Sequence, residues 1–151
     1  MDIRKLELLG EPDLTIAGLR VWIHGRQFPD SSDYWDANWL QVTACCVYPT
    51  SAVTTQGPII HLGEVLDFQQ SCQKMYDTLS GKAELTRTEL ELLVSMEAGA
   101  GGHISLEIAI TPNTVFEEHI YRDSIDQSYL PPILDASKSI LNAYPVIGTR
   151  G

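Results

Sequence analysis

Glu89-Leu-Glu-Leu-Leu-Val-Ser-Met-Glu-Ala-Gly-Ala-Gly-Gly-His-Ile-Ser-Leu-Glu-Ile-Ala-Ile-Thr111 decides the fold. In its first half Leu90, Leu92, Val94 and Met96 alternate with Glu89, Glu91, Leu93, Ser95 and Glu97. In its second half Ile104, Leu106, Ile108 and Ile110 alternate with Ser105, Glu107, Ala109 and Thr111. A period of two is the mark of a strand with one buried face. Gly99 to Gly102 between the halves supplies the positive φ angles of a turn. The stretch therefore predicts an antiparallel hairpin.

Upstream, Val65, Phe68, Cys72, Met75, Tyr76 and Leu79 fall at helical spacing. They predict a helix from about Glu64 to Ser80, with Gly81 as its stop. Downstream, Val115 to Tyr121 reads as one more strand. Leu130, Ile133, Leu134, Ser137, Ile140, Leu141 and Tyr144 then form the stripe of a closing helix. Pro131 and Pro132 suit its first turn, Asp126 or Ser128 can cap it, and Pro145 ends it. In the first third, Leu19, Val21 and Ile23 alternate with Arg20, Trp22 and His24, after Leu14 and Ile16 in the opposite phase. The break at Ala17-Gly18 predicts a bulge or a sharp bend. A loop from Gly25 to Asn38 leads into Trp39 to Tyr48, apolar on both faces and so a central strand; Pro58 to Leu62 reads as a short strand or a lead-in. The whole predicts one α+β domain over residues 1–151: an antiparallel sheet of about five or six strands with two amphipathic helices packed on one face.

Composition narrows the function. The 151 residues are 44% hydrophobic and 20% charged, which excludes a wholly disordered chain. Twenty acidic against ten basic residues give a formal net charge of -10. That argues against direct nucleic-acid binding, which needs a basic surface, and suits a basic partner. Residues 37–63 carry no Lys, Arg, Asp or Glu, yet Asn38, Gln41, Pro49, Thr54, Gln56 and Pro58 interrupt them. No apolar run approaches the roughly 20 residues of a spanning helix, so no membrane partner is expected. Met1 to Gly10 lacks the apolar core of a secretory signal. Cys45 and Cys46 are strand neighbours that point to opposite faces, and the third cysteine is Cys72. Reduced, buried thiols in a cytoplasmic protein follow.

The hairpin gives part of the charge an address. With its apolar positions turned to the helices, Glu89, Glu91, Glu97 and Glu107 project from the opposite face. Two readings stand: a solvated face that blunts edge pairing, or a docking surface for a basic partner.

Catalytic patterns are missing from the sequence. His24 with Asp30, Asp33 and Asp36 resembles a metal cluster, but lacks the alternate ligands, central glycine and closing Glu of an EF-hand loop. Asp33 and Asp36 read more simply as turn formers. There is no nucleophile elbow and no His-Glu-x-x-His. His24, His61, His103 and His119 are scattered, and Gly99 to Gly102 lacks the lysine of a phosphate loop. Neither catalysis nor a metal or cofactor is expected. Tyr34, Trp35 and Trp39, with Trp22 and Phe28, are either exposed anchors of an interface or a satellite core that pins the loop.

Three stretches resemble a known family. Trp22-Ile-His-Gly-Arg-Gln-Phe-Pro29, then Asp33-Tyr-Trp-Asp-Ala-Asn-Trp-Leu40, and finally Asp126-Gln-Ser-Tyr-Leu-Pro131 through Tyr144-Pro-Val146 are similar to WapI-type bacterial immunity proteins. The tail Val146-Ile-Gly-Thr-Arg-Gly151 departs from the shorter ending of that pattern. The resemblance implies a small cytoplasmic protein without catalysis that binds the toxic C-terminal domain of a secreted or cell-wall-associated toxin. In WapA-type toxins that domain is a tRNA-cleaving nuclease. Such a domain is basic, which meets the charge argument from the other side. The expected interface comprises Asp30, Asp33, Asp36, Glu89, Glu91, Glu97 and Glu107. Two alternatives are kept: a small-molecule domain with an apolar pocket lined by Trp22, Trp39 and Phe68, and an enzyme using His24 or His119 with a carboxylate.

Overall fold

The computed structural model describes residues 3–86 and 88–150; Met1, Asp2, Arg87 and Gly151 lie outside the described residues. Eight strands are formed among the described residues. β1 (Leu14–Ile16), β2 (Leu19–Arg26), β3 (Trp39–Tyr48) and β4 (Ser51–His61) make one antiparallel sheet in the order 1-2-3-4. β5 (Lys82–Leu85), β6 (Leu92–Ala98), β7 (His103–Ile110) and β8 (Ile120–Asp126) make a second, in the order 5-6-7-8. Two one-turn helices, α1 (Ile3–Leu6) and α2 (Tyr34–Ala37), flank the first sheet. The long helices are α3 (Leu62–Thr78), between the sheets in sequence, and α4 (Leu130–Ala143), which closes the chain.

The α+β class is as expected, but the single sheet of five or six strands is corrected to two sheets of four. Strand periodicity reports which face is buried and is silent about neighbours. The division comes from α3, which starts at the residue after β4 and carries the chain off the first sheet. Short connections then make each set of four strands a meander of sequential neighbours. Both sheets and both helices share one core: Val21, Val42 and Ile60 from the first sheet, Val94, Leu106 and Ile108 from the second, Phe68 and Met75 from α3, Ile133 and Ile140 from α4. The helices pack on each other, α3 also against β5 and α4 against β1. β3 is an inner strand, as its two apolar faces require. Its second face buries Cys45 with Trp22 and Leu6 in a separate small cluster.

Boundaries shift for local reasons. Ala17 (φ 50°) and Gly18 form the two-residue turn between β1 and β2 rather than a bulge. Pro58 belongs to the eleven-residue β4, next to a register shift opposite Leu40 and Val42. α3 begins at Leu62 because His61 caps it, its Nδ1 accepting from the Gly63 N–H at 3.0 Å. The helix ends before Leu79, which takes the left-handed conformation (φ 53°) two residues ahead of Gly81. The strand expected at Val115 to Tyr121 begins at Ile120. Asn113 captures the preceding residues in a turn, its Oδ1 accepting from the Val115 N–H at 3.1 Å. Val115 and Phe116 are left exposed at its tip. β6 starts at Leu92 rather than Glu89, so Glu89, exposed Leu90 and Glu91 lie in the connection from β5. Asp126 caps the 3-10 turn that leads into α4 by accepting from the Ser128 N–H at 2.8 Å.

Cys45, Cys46 and Cys72 are all buried and free. Burial first, and then neighbouring Cys45, pushes the Cys46 thiol up to about 12; burial alone takes Cys72 to about 12. Between the ordinary value of 9.0 and 12 the unfolded chain has lost protons that the folded chain keeps. Stability contributed by these thiols is therefore whole below pH 9.0 and declines from there toward pH 12. Urea unfolding at pH 7.5, 9 and 10.5 should show this decline, and a Cys46→Ala/Cys72→Ala variant should flatten it; equal slopes in the two proteins would refute the assignment.

Candidate functional site

Asn38 organises one end of the molecule. It is fully buried at the end of α2 and uses every hydrogen-bonding position of its side chain. Nδ2 donates to the carbonyls of Tyr34 (2.7 Å) and Ile147 (2.8 Å). Oδ1 accepts from the Ile147 N–H (2.9 Å) and from Arg26 Nη1 (3.3 Å). Its own carbonyl accepts from the Leu62 N–H at 2.8 Å, where α3 begins. Arg26 adds donations to the carbonyls of Ala37 (2.8 Å) and Pro145 (2.5 Å) and lies over the Tyr144 ring. One amide and one guanidinium thus bind β2, α2, the start of α3 and residues 144–147 into a unit.

Four rings fill the space beside it. His61 is buried, and because Nδ1 accepts from Gly63, Nε2 carries the proton and donates to the Trp35 carbonyl at 3.1 Å. Its ring stacks on Trp35 (5.0 Å between centroids, 27°), meets Trp39 edge-on at 5.0 Å (80°) and lies tilted against Tyr34 at 5.2 Å (58°). Gly63 is required here, since a Cβ would run into the Tyr34 hydroxyl. Trp39 is buried, whereas Trp35 stays 50% exposed.

That exposed part of Trp35 lines a cleft of about 800 Å³ between α2, the first turns of α3 and residues 148–150. Asp33, Glu64 and Asp67 bring carboxylates to its wall, with Tyr34 and Trp35 as its aromatic side. Asp33 also caps α2, accepting from the Asp36 N–H at 3.1 Å. Thr88 donates to Glu64 Oε1 at 2.6 Å and ties the cleft to the β5–β6 connection. There, burial raises the Glu89 carboxyl above its ordinary value, helped by the charge of Glu91, a hydrogen bond with it, and the charge of Glu64. The 86–91 and 112–119 connections leave the second sheet at the same end, joined by the Thr111 N–H donating to the Glu91 carbonyl at 2.9 Å.

The expected interface residues therefore separate. Asp30, Asp33 and Asp36 sit in the exposed loop around α2. Glu89 and Glu91 do not share an open sheet face with Glu97 and Glu107. They are half-buried near Glu64, because β6 has not yet begun at those positions. Glu97 and Glu107 do occupy the open face, in cross-strand rows with basic residues. Lys82 stands opposite Glu97, and Arg122 pairs with Glu107 at 3.4 Å. The aromatic group divides too: Trp22 and Trp39 are core, while Trp35 and Phe28 are half-exposed.

The small-molecule alternative does not find its residues together. Trp22 packs with Cys45 on the far side of the first sheet from Phe68, so Trp22, Trp39 and Phe68 line no common pocket. Of the enzyme candidates, His24 bonds Thr43 at 2.7 Å on β2, while His119 does stand 3.7 Å from the Glu117 carboxylate in the connection before β8, among none of the residues that line the cleft. Among the described residues no group of three His, Cys, Asp or Glu side chains could hold a metal ion. The parts overlooked by sequence reading are Arg26, His61, Glu64, Asp67 and Arg150. Arg26 and Arg150 stand inside the strings quoted for the family resemblance but without a role assigned there, and no motif marks His61, Glu64 or Asp67.

A family model described as the Immunity protein WapI-like family matches residues 11–145. Comparison with curated proteins and with solved structures returns no match.

Because Asn38 satisfies four groups at once, Asn38→Ala should lower the unfolding free energy by about 2–4 kcal/mol in urea melts. Asn38→Asp should cost nearly as much, since it sets an acceptor against the carbonyls of Tyr34 and Ile147. A loss below about 0.5 kcal/mol in either variant would remove Asn38 from its organising place.

Proposed function

The chain belongs to the WapI-like immunity protein family, and we propose that it binds and neutralises the toxic domain of a cognate bacterial toxin, with no chemistry of its own. The family match over residues 11–145 carries this reading. The partner we propose is a basic domain, such as a tRNA nuclease, met in the cytoplasm. A net charge of -10 supports that choice, because an acidic inhibitor is steered to a basic surface and competes there with a phosphate backbone. No helix of the described residues is long and apolar enough to cross a membrane.

The proposed interface is centred on the cleft. Half-exposed Trp35 offers a rigid aromatic anchor, and Asp30, Asp33 and Asp36 beside it, with Glu89 and Glu91 beyond, supply the steering charge. Glu97 and Glu107, balanced by Lys82 and Arg122, form its flank.

Cells that express a cognate toxin domain should grow when this chain is co-expressed and fail to grow when it is not. Absence of rescue, with both proteins soluble, would end the immunity reading. In association kinetics, Asp30→Lys/Asp36→Lys should slow binding about tenfold at low salt and weaken its salt dependence, and Glu97→Lys should change it less than threefold. The reverse ranking would move the interface to the open sheet face.

A further inference from the structure

The cleft already holds a cation of the chain itself. The Arg150 guanidinium lies over the Tyr34 ring, 5.9 Å from its centroid, with Nη2 3.2 Å from Asp67 Oδ2. The two charged side chains remain 64% and 54% exposed, so this is an ion pair in water and a weak one. It is also far smaller than its surroundings. A volume of about 800 Å³ is more than one guanidinium fills, and Asp33, Glu64 and Trp35 line the remainder.

The backbone before Arg150 suits a contact that can be exchanged. Ile147 is clamped by Asn38 at 2.8 and 2.9 Å. Gly148 then turns at φ 74° across Tyr34, where an added Cβ would press on the Tyr34 backbone at 3.4 Å. Arg150 is therefore carried on a short segment beyond a fixed pivot, able to leave the cleft without disturbing the Asn38 anchor.

We infer that this cleft is a receptor for an arginine side chain of the partner, and that Arg150 occupies it as a place-holder until the partner displaces it. The chemistry is shared by both occupants: an aromatic face for the guanidinium plane and a carboxylate for its N–H groups. Three lining carboxylates against the single arginine among the lining residues give the cleft a negative charge that attracts an incoming cation and holds whichever guanidinium fills it. The identity of the partner as a basic toxin domain rests on the function proposed above. The cleft's preference for arginine rests on the geometry alone.

The test uses the full-length protein and N-acetyl-arginine methylamide as the probe, followed by the NMR signal of the Trp35 indole N–H. A tethered competitor acts at a local concentration on the order of millimolar, so removing it should reveal the site. Arg150→Ala should bind the probe at least threefold more tightly than the unaltered protein, and the lysine analogue should bind more weakly than the arginine probe. Arg150→Ala/Asp67→Asn should lose the gain; Asp67 is an exposed side chain, so this variant keeps its fold. An unmoved Trp35 signal in Arg150→Ala, or equal affinity with and without Arg150, would overturn the inference.

With the cognate toxin domain, Arg150→Ala should retain protection and associate faster, while Asp67→Asn should dissociate faster. A cleft that binds the probe in a protein that gives no protection would contradict the toxin partner and leave the receptor standing. Protection by a protein whose cleft ignores the probe would do the opposite.

Discussion

The end of the molecule that carries the cleft depends on the saturation of one buried amide. Asn38 sits where four segments meet, pairing backbone groups of Tyr34, Leu62 and Ile147 that must be satisfied once water is gone, and accepting from Arg26 of β2. An apolar side chain would leave the Tyr34 and Ile147 carbonyls orphaned. Arg26 completes the arrangement by reaching Ala37 and Pro145 with its two terminal nitrogens. The Trp-Asp-Ala-Asn-Trp-Leu string is therefore structural in its Asn38 and Trp39. Its solvent-facing Trp35 and Asp36 are free for other work.

From that anchor follows the distribution of charge. The open face of the second sheet holds acidic and basic residues in rows, which keeps it soluble without a strong field. Around the cleft the balance is different. Three carboxylates line it, and Glu89 lies behind Glu64 with its carboxyl raised first by burial and then by the charges of Glu91 and Glu64. Clustered like charge beside a half-exposed tryptophan is poor design for stability alone. It suits the basic partner proposed above for this chain.

Much of this was legible in the sequence, and the failures share a cause. Period-two alternation located β2, β6 and β7, and helical spacing located α3 and α4 to within two residues, because each buries a continuous apolar face. The division into two sheets was not legible, since alternation at Val21 and at Val94 looks the same whether or not their strands belong together. The start of β6 was misread because Leu90 keeps the alternation in phase while standing in water. That error placed Glu89 and Glu91 on the wrong surface. The cleft was invisible for a different reason: His61, Glu64, Asp67 and Arg150 converge only after α3 and the segment following α4 have packed. The loop around Asp33 and the aromatic pair Trp35 and Trp39 were recognised, but their division into exposed anchor and buried support needed the stacked ring of His61.

The central claim is that partner recognition is concentrated at the Asn38-anchored end rather than on the open sheet face. Hydrogen–deuterium exchange of this protein, free and bound to its cognate toxin domain, tests it most directly. The account predicts new protection at residues 30–36, 86–91 and 147–150, with β7 and β8 unchanged. Protection confined to the strands that carry Glu97, Glu107 and Arg122, with residues 30–36 exchanging as in the free protein, would contradict it.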